Sequence, residues 1–287
     1  MRPFTYARPE TLAEAIALLD EGGPDACVLA GGTDLVIRLR DGSVRPAVVV
    51  DVKRVPELAP GIRLRAATLV IGATTTMTEI AAHPLVRRDL AGLAEAAAVV
   101  GSVQIRNRAT LAGNLCNGSP AADTAPSLLV HGAVVVAAGP TGERRIAVDD
   151  FFVRSGVTTL APGELVTAIE IPAPASPIAS AHQRRTRRRG HDLASVTLAC
   201  GVDASGITRI AYGSVGPRPL LRIDETGALA DAGSTDEARS AVLEAVFADA
   251  SPSARSMRAS PDYRLAMLRV LGRRALATAL ARLAAGA

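Results

Sequence analysis

Two segments combine glycines with small polar residues at a spacing suited to holding phosphate. The first is Leu29-Ala30-Gly31-Gly32-Thr33-Asp34-Leu35, between the apolar stretch ACVLA and the helical pattern LVIRLRDG. Glycines there let the backbone take a positive φ and come close to a ligand. The amides of Gly32, Thr33 and Asp34 would open a helix, where free N–H groups and the dipole favour an anion. Taken alone, a strand–Gly-Gly–helix turn is also ordinary packing. The second segment is NRATLAGNLCNGSPAADTAP (residues 107–126), with three asparagines, two glycines, two prolines and almost no charge. It is long for a plain connection, which usually runs to about six residues. Thr110, Asn114, Asn117, Ser119 and Asp123 offer polar groups, and Gly113 and Gly118 give tight backbone. Asn107 and Asn114 would serve equally as turn formers. Two such segments in one domain suit a diphosphate gripped from both sides, with Asp123 accepting from a hydroxyl.

Other chemistries lack their residues. No phosphate-binding lysine loop of the Walker type and no G-x-G-x-x-G is present, so nucleoside triphosphates and nicotinamide cofactors have no fingerprint here. Three cysteines, Cys27, Cys116 and Cys200, lie far apart without a C-x-x-C. A disulfide framework, a zinc site or an iron–sulfur cluster would need about four grouped ligands. Reduced thiols in a cytoplasmic protein are expected, with Cys116 a small buried filler. His83, His131, His182 and His191 show no metal spacing, and His83-Pro84 reads as a helix stop. The net charge is +4, and HQRRTRRRGHD (182–192) concentrates five arginines: Arg184, Arg185, Arg187, Arg188 and Arg189. A basic patch can mean nucleic acid, but four Phe, three Tyr and no Trp leave little to stack bases on,. Nucleic-acid binding is not expected. Apolar residues make up 48%, yet no run approaches the ~20 residues that span a bilayer. MRPFTYARPETLAEAI has no secretory apolar stretch.

The elements that must position these segments follow from pattern. Thr11 and Glu14 form a capping box opening LAEAIALLDEG, with Leu12, Ile16 and Leu19 on one face. ACVLA is a strand and AVVVDV (47–52) another, giving a βαβ-like unit over residues 1–55. IRLRAATLVIGA is β-rich, and Thr76 with Glu79 forms a second capping box. LVRRDLAGLAEAAAVV predicts one longer helix before the second segment. AVVVAA, RRIAV and ELVTAIEIP are strands, closing a unit over 56–172. APASPIASA (173–181) is the linker candidate. Residues 178–287 form the last unit: two antiparallel strands joined at Ser205-Gly206, a helix capped by the box Ser234 to Glu237, and a helix opened by Pro261.

AGGTDL, IGATTTMTEI, IRNRATLAGNLCNGSPAADTAPSLL, GELVTAIEIP and RRTRRRGHDLASV occur here in the order and spacing of a known family. The chain resembles, over nearly its whole length, the FAD-binding subunit of the molybdenum hydroxylases. That family includes the medium subunit of aerobic carbon monoxide dehydrogenase and the flavin domain of xanthine dehydrogenase. The resemblance implies an α+β protein with the PCMH-type FAD-binding fold: two α/β subdomains holding FAD and a C-terminal domain of antiparallel strands and helices. It places residues 29–35 in one half of a diphosphate clamp. Thr110, Gly113 and Asn114 match the other half, and Asn117, Ser119 and Asp123 match polar contacts to FAD. Leu165 and Val166 fall where the family packs an aliphatic side chain and backbone on the cofactor. Arg184 falls where some members have a cofactor-contacting lysine, keeping the charge but not the shape. The FAD is expected to be non-covalent, and no general acid or base is implied. Members work beside a molybdopterin-binding large subunit and a small subunit with two 2Fe–2S clusters. Three scattered cysteines cannot build those clusters, so they belong to partners. Electrons would reach FAD through them and leave to NAD, a quinone or oxygen. The rivals are a stand-alone flavin oxidase, disfavoured by an aromatic content of 2%, and a nucleotide-binding scaffold without flavin, disfavoured by the intact clamp.

Overall fold

The computed structural model describes residues 2–188 and 190–286. Its first sheet has three parallel strands, ordered β1-β3-β2. β1 (Thr5–Ala7) leads to α1 (Leu12–Gly22), β2 (Ala26–Leu29), α2 (Leu35–Asp41) and β3 (Val48–Asp51). Three residues carry too little alternation to announce β1. The box on α1 closes only halfway: Thr11 accepts from the Glu14 amide, but the Glu14 carboxylate takes the amide of Glu10 instead of Thr11.

β4 (Ile62–Arg65) and β5 (Thr68–Gly72) form a hairpin, followed by α3 (Met77–Ala82), where both halves of the Thr76–Glu79 box are made. The single long helix expected next is broken into α4 (Pro84–Asp89) and α5 (Ala91–Ala98) at Leu90, with φ −132° and ψ 46°. Leu90 is buried, and the Gly92 amide donates to Ser180 Oγ at 3.1 Å. Tertiary packing therefore overrides the continuous helical pattern. Residues 107–126 are not one loop either. After α6 (Val103–Arg106) they hold α7 (Leu111–Cys116) and the start of α8 (Thr124–Val130). Thr110 caps α7 through the Gly113 amide, and Leu111, Ala112 and Leu115 are buried, a pattern too short to stand out among glycines and asparagines. β6 (Val134–Gly139), β7 (Gly142–Ala147), α9 (Val148–Phe151), β8 (Phe152–Arg154), β9 (Val157–Thr158) and β10 (Leu165–Pro172) follow. The second sheet is antiparallel, ordered β4-β5-β10-β6-β7.

β11 (Ile178–Arg185) begins inside the expected linker, so Arg184 and Arg185 lie on a strand. It heads the antiparallel sheet β11-β12-β13-β14, with β12 (Val196–Asp203), β13 (Thr208–Gly213) and β14 (Leu220–Asp224). α10 (Asp236–Val246) is capped by Thr235, not Ser234, and α11 (Pro261–Ala284) by Ser260. All of β12 is buried because both faces are covered. Val196, Leu198, Cys200 and Val202 join Leu268, Leu271 and Leu276 of α11 in one core. Ala199 of β12 and Ala211 of β13 join the other, which contains Leu93, Leu128 and Ile169. That alternation is the period-two pattern of a strand, and it fixes β11 and its arginines against the rest of the chain. Among the described residues, no helix is long and apolar enough to cross a membrane.

Candidate cofactor site

β2 delivers the chain to Leu29, and α2 starts at Leu35. The two intervening glycines have different physical reasons. Gly32 sits at φ +79°, a conformation that side-chain-bearing residues avoid,. A Cβ on Gly31 would run into the carbonyl oxygen of Arg108, so its absence lets the first segment lie directly on the second. The amides of Gly32, Thr33 and Asp34 pair with no group among the described residues. Leu29 supports the turn from below and does not line the space in front of it.

The second segment is held by an isolated antiparallel bridge between Thr76 and Thr110: the Met77 amide donates to Ala109 O and the Leu111 amide to Thr75 O. Thr110 Oγ1 is used as the α7 cap, at 3.1 Å from the Gly113 nitrogen. Asn114 Oδ1 accepts from Thr124 Oγ1 at 2.6 Å, which ties α7 to α8 and leaves the Asn114 NH2 without a partner among the described residues. Ser119 Oγ accepts from the Ala121 amide.

Between the two segments runs a cleft of about 480 Å³. Residues 30–35, Thr110, Gly113, Asn114, Asn117, Ser119, Asp123, Leu165 and Val166 all line it. Pattern reading missed Cys27, Val28 and Arg38, the pair Ala73-Thr74, and His191-Asp192-Leu193, which also line it. The last two groups fall inside the quoted stretches IGATTT and RGHDL, so order in sequence held their signal while chemistry did not. Cys116 is not a buried filler: its side chain opens onto the cleft. The bulk of protein around it still pushes its thiol up to about 12. Cys27 is raised by burial as well, so both thiols stay protonated at neutral pH.

Arg184 does not line the cleft. Its guanidinium instead joins three segments. Nη1 donates to Asp123 Oδ2 and to Val99 O, and Nη2 donates to Asp192 O, each at 2.7 Å. Asp123 is nearly enclosed; its second oxygen, Oδ1, is fully so and makes no hydrogen bond among the described residues. Burial pushes the Asp123 carboxyl up to about 6, with Arg184 and then the nearby Thr197 hydroxyl opposing. His182 Nε2 stands 3.8 Å from Oδ1 but bonds Thr197 Oγ1 at 3.0 Å. Burial, then the Arg184 charge, hold that imidazole neutral, with its pKa down to about 3. The rest of the arginine run shapes its own segment. Arg185 Nε donates to Tyr263 Oη, Arg187 pairs with Asp192 and Arg188 Nε donates to His191 O. Arg189 lies outside the described residues.

These residues fit a flavin dinucleotide. The unpaired amides at Gly32, Thr33 and Asp34 suit an anion. The Asp123 carboxylate, which lines the cleft and is fixed by Arg184, is an acceptor suited to a hydroxyl,. Leu165 and Val166 supply an apolar wall. Among the described residues, no cluster of His, Cys, Asp and Glu could hold a metal ion.

Comparison with known proteins gives the family. The profile of the FAD binding domain in molybdopterin dehydrogenase matches residues 2–174, and that of the CO dehydrogenase flavoprotein C-terminal domain matches residues 181–279. The carbon monoxide dehydrogenase medium chain of Hydrogenophaga pseudoflava is 35% identical over 285 residues, 98% of each chain. The xanthine dehydrogenase FAD-binding subunit of Escherichia coli O157:H7 is 32% identical over 282 residues, 96% of each. Among solved structures, carbon monoxide dehydrogenase from Hydrogenophaga pseudoflava superimposes with a TM-score of 0.89 at 34% identity, covering 98% of this chain and 99% of that one. Quinoline 2-oxidoreductase from Pseudomonas putida 86 gives 0.86 at 30% identity, covering 97% of each. The cofactor is therefore FAD, the fold is that of the CO dehydrogenase medium subunit, and the chain belongs to the FAD-binding subunit family of the molybdenum hydroxylases.

Proposed function

We propose that this chain is the electron-transfer flavoprotein of a three-subunit molybdenum hydroxylase. In this reading it holds one non-covalent FAD beside a molybdopterin-binding large subunit and a small subunit with two 2Fe–2S clusters. Residues 1–55 and 56–172 act as the two halves that grip the cofactor, and 178–287 as the domain that closes it. FAD held there would supply a redox centre from which electrons could pass to NAD, a quinone or oxygen.

The protein's own contribution is placement. The amides of Gly32, Thr33 and Asp34 hold one side of the diphosphate, and Gly113 with the Asn114 NH2 holds the other. Thr110 and Asn117 set the two ends of α7. Asp123 and Ser119 take hydroxyl groups, while Leu165 and Val166 keep water from an apolar surface. Arg184 acts through Asp123. No side chain is required to move a proton. The three free thiols fit a cytoplasmic setting,.

The observation that carries this reading is a cleft built from two glycine-bearing segments, with the unpaired amides of Gly32, Thr33 and Asp34 on one side and the Asp123 carboxylate on the other. Purified protein should be yellow, and acid precipitation should release about one FAD per chain into the supernatant. Alone it should turn over no hydroxylase substrate, and co-expression with the two partner subunits should restore turnover. Colourless protein, flavin left in the acid pellet, or turnover by the isolated chain would each overturn it.

A further inference from the structure

A second crevice, of about 270 Å³, shares no lining residue with the flavin cleft. It forms where the β4–β5 hairpin, the α4–α5 break, the start of β11 and the end of α11 meet. β10 runs from one site to the other, with Val166 in the cleft and Ile171 in the crevice, about 17 Å apart at the rise of a strand. Leu64, Leu85, Ile171 and Ile178 make its walls hydrocarbon. Both cations at its edge are already neutralised: Arg88 grips Asp89 with two bonds, and Arg282 is bound to Glu95.

The floor is different. His131 and Ser180 line it, both at least nine-tenths buried, with His131 Nε2 3.0 Å from Ser180 Oγ. Ser180 Oγ also accepts the Gly92 N–H at 3.1 Å. Among the described residues the acceptor within reach of the serine proton is Nε2, and we assign that proton to it, which puts the imidazole's own proton on Nδ1. Among the described residues nothing pairs with that Nδ1, and it is not among the fully enclosed unpaired atoms. The ring lines the crevice, and Nδ1 is its nitrogen left without a partner among the described residues. Burial, reinforced by the Arg209 charge, holds the ring neutral, with its pKa down to about 4.

We propose that this crevice binds a neutral apolar molecule of two-ring size carrying one hydrogen-bond acceptor, a carbonyl oxygen or aromatic ring nitrogen, received by His131 Nδ1–H. Size follows from volume: a dry cavity of roughly 150 Å³ takes up benzene, so this one takes two fused rings. Charge follows from the paired arginines, which leave a carboxylate no free partner. The acceptor follows from the lone N–H, which an apolar occupant would desolvate without compensation.

The test uses the FAD-loaded full chain at pH 8 with three probes of one shape: quinoline, naphthalene and 1-naphthoate. Quinoline should bind one-to-one and about tenfold more tightly than naphthalene, the worth of one hydrogen bond against an unmet donor. The carboxylate should not bind. Ala67 is exposed on the rim, so Ala67→Trp should block quinoline while FAD content and melting temperature stay unchanged. His131→Phe should erase the preference for quinoline; if it does not fold, the rim variant and the probe series decide alone. Equal binding of quinoline and naphthalene, preference for the carboxylate, binding that survives Ala67→Trp, or no binding of quinoline at ~1 mM would each overturn the proposal. FAD content, read in the same samples, reports on the cleft separately.

Discussion

Arg184 Nη1 lies 2.7 Å from Asp123 Oδ2, and the same guanidinium holds the carbonyls of Val99 and Asp192. One side chain on β11 thus fastens the end of α5, the start of α8 and the 190–193 segment that walls the cleft. The sequence position called for a charge facing the cofactor, and the fold turns that charge onto Asp123.

Arg184→Ala should therefore weaken FAD binding by way of Asp123. It removes one partner of a largely buried ion pair, which costs roughly 3–5 kcal/mol, and it leaves the carboxyl free to rise further and stay protonated at neutral pH. Arg184→Lys should recover part of the loss, since an ammonium lacks the fork that reaches several acceptors. In a double-mutant cycle with Asp123→Asn, the two changes should couple by about 0.5–3 kcal/mol in FAD affinity. Additive effects would mean that Arg184 acts on the cofactor by a route independent of Asp123.

Asp123→Ala should cost one hydrogen bond to a charged acceptor, about 1.5–3 kcal/mol or a ten- to hundredfold rise in the FAD dissociation constant. An ionised Asp123 is the better acceptor, so wild-type FAD affinity should rise as pH is raised through about 6, the value to which burial pushes this carboxyl. Asp123→Asn should flatten that profile. Isothermal titration from pH 5 to 8 checks both, and an affinity independent of pH would return Asp123 to a purely structural carboxylate.

How much of this was readable beforehand differs between levels. The strands of the second sheet, the Thr76–Glu79 box and the residues lining the cleft lay close to pattern or motif. The break at Leu90 did not, because it goes with Gly92 meeting Ser180, a contact made 88 residues away in sequence. α7 was hidden because its apolar face is Leu111, Ala112 and Leu115 alone, among residues that favour turns,. The role of Arg184 was hidden for a similar reason: position along the chain shows that a cation is present, whereas its orientation depends on which carboxylate the fold brings beside it.

Acid should destabilise the fold through two buried histidines. His131 and His182 have pKa values lowered to about 4 and about 3 from an ordinary 6.5. The unfolded chain then binds more protons than the native one below about pH 6.5, so stability present above that pH is lost as pH falls toward 4 and 3. Each contributes on the order of a few kcal/mol. Asp123 acts in the opposite sense, because its raised pKa makes the native state bind more protons between about 4 and 6, and its shift is smaller. The urea midpoint should fall from pH 7 to 4.5, and His182→Gln should shallow that slope. A midpoint constant across this range would contradict neutral buried imidazoles.

The two glycines of the first segment should fail differently. Gly31→Ala drives a methyl group into the carbonyl of Arg108, so the two segments must separate and the protein should lose stability whether or not FAD is present. Gly32 has no backbone in its way, its nearest neighbour being the flexible end of Leu29 at 2.9 Å. Its constraint is the φ of +79°, which a β-branched residue resists and which places the neighbouring amides toward the cleft. Gly32→Val should keep the cores of both domains and yet purify without flavin. Measured side by side, far-UV circular dichroism should show loss of structure for Gly31→Ala only, while the flavin absorbance per chain should drop to near zero in both. Full flavin content in folded Gly32→Val would move the diphosphate away from this turn.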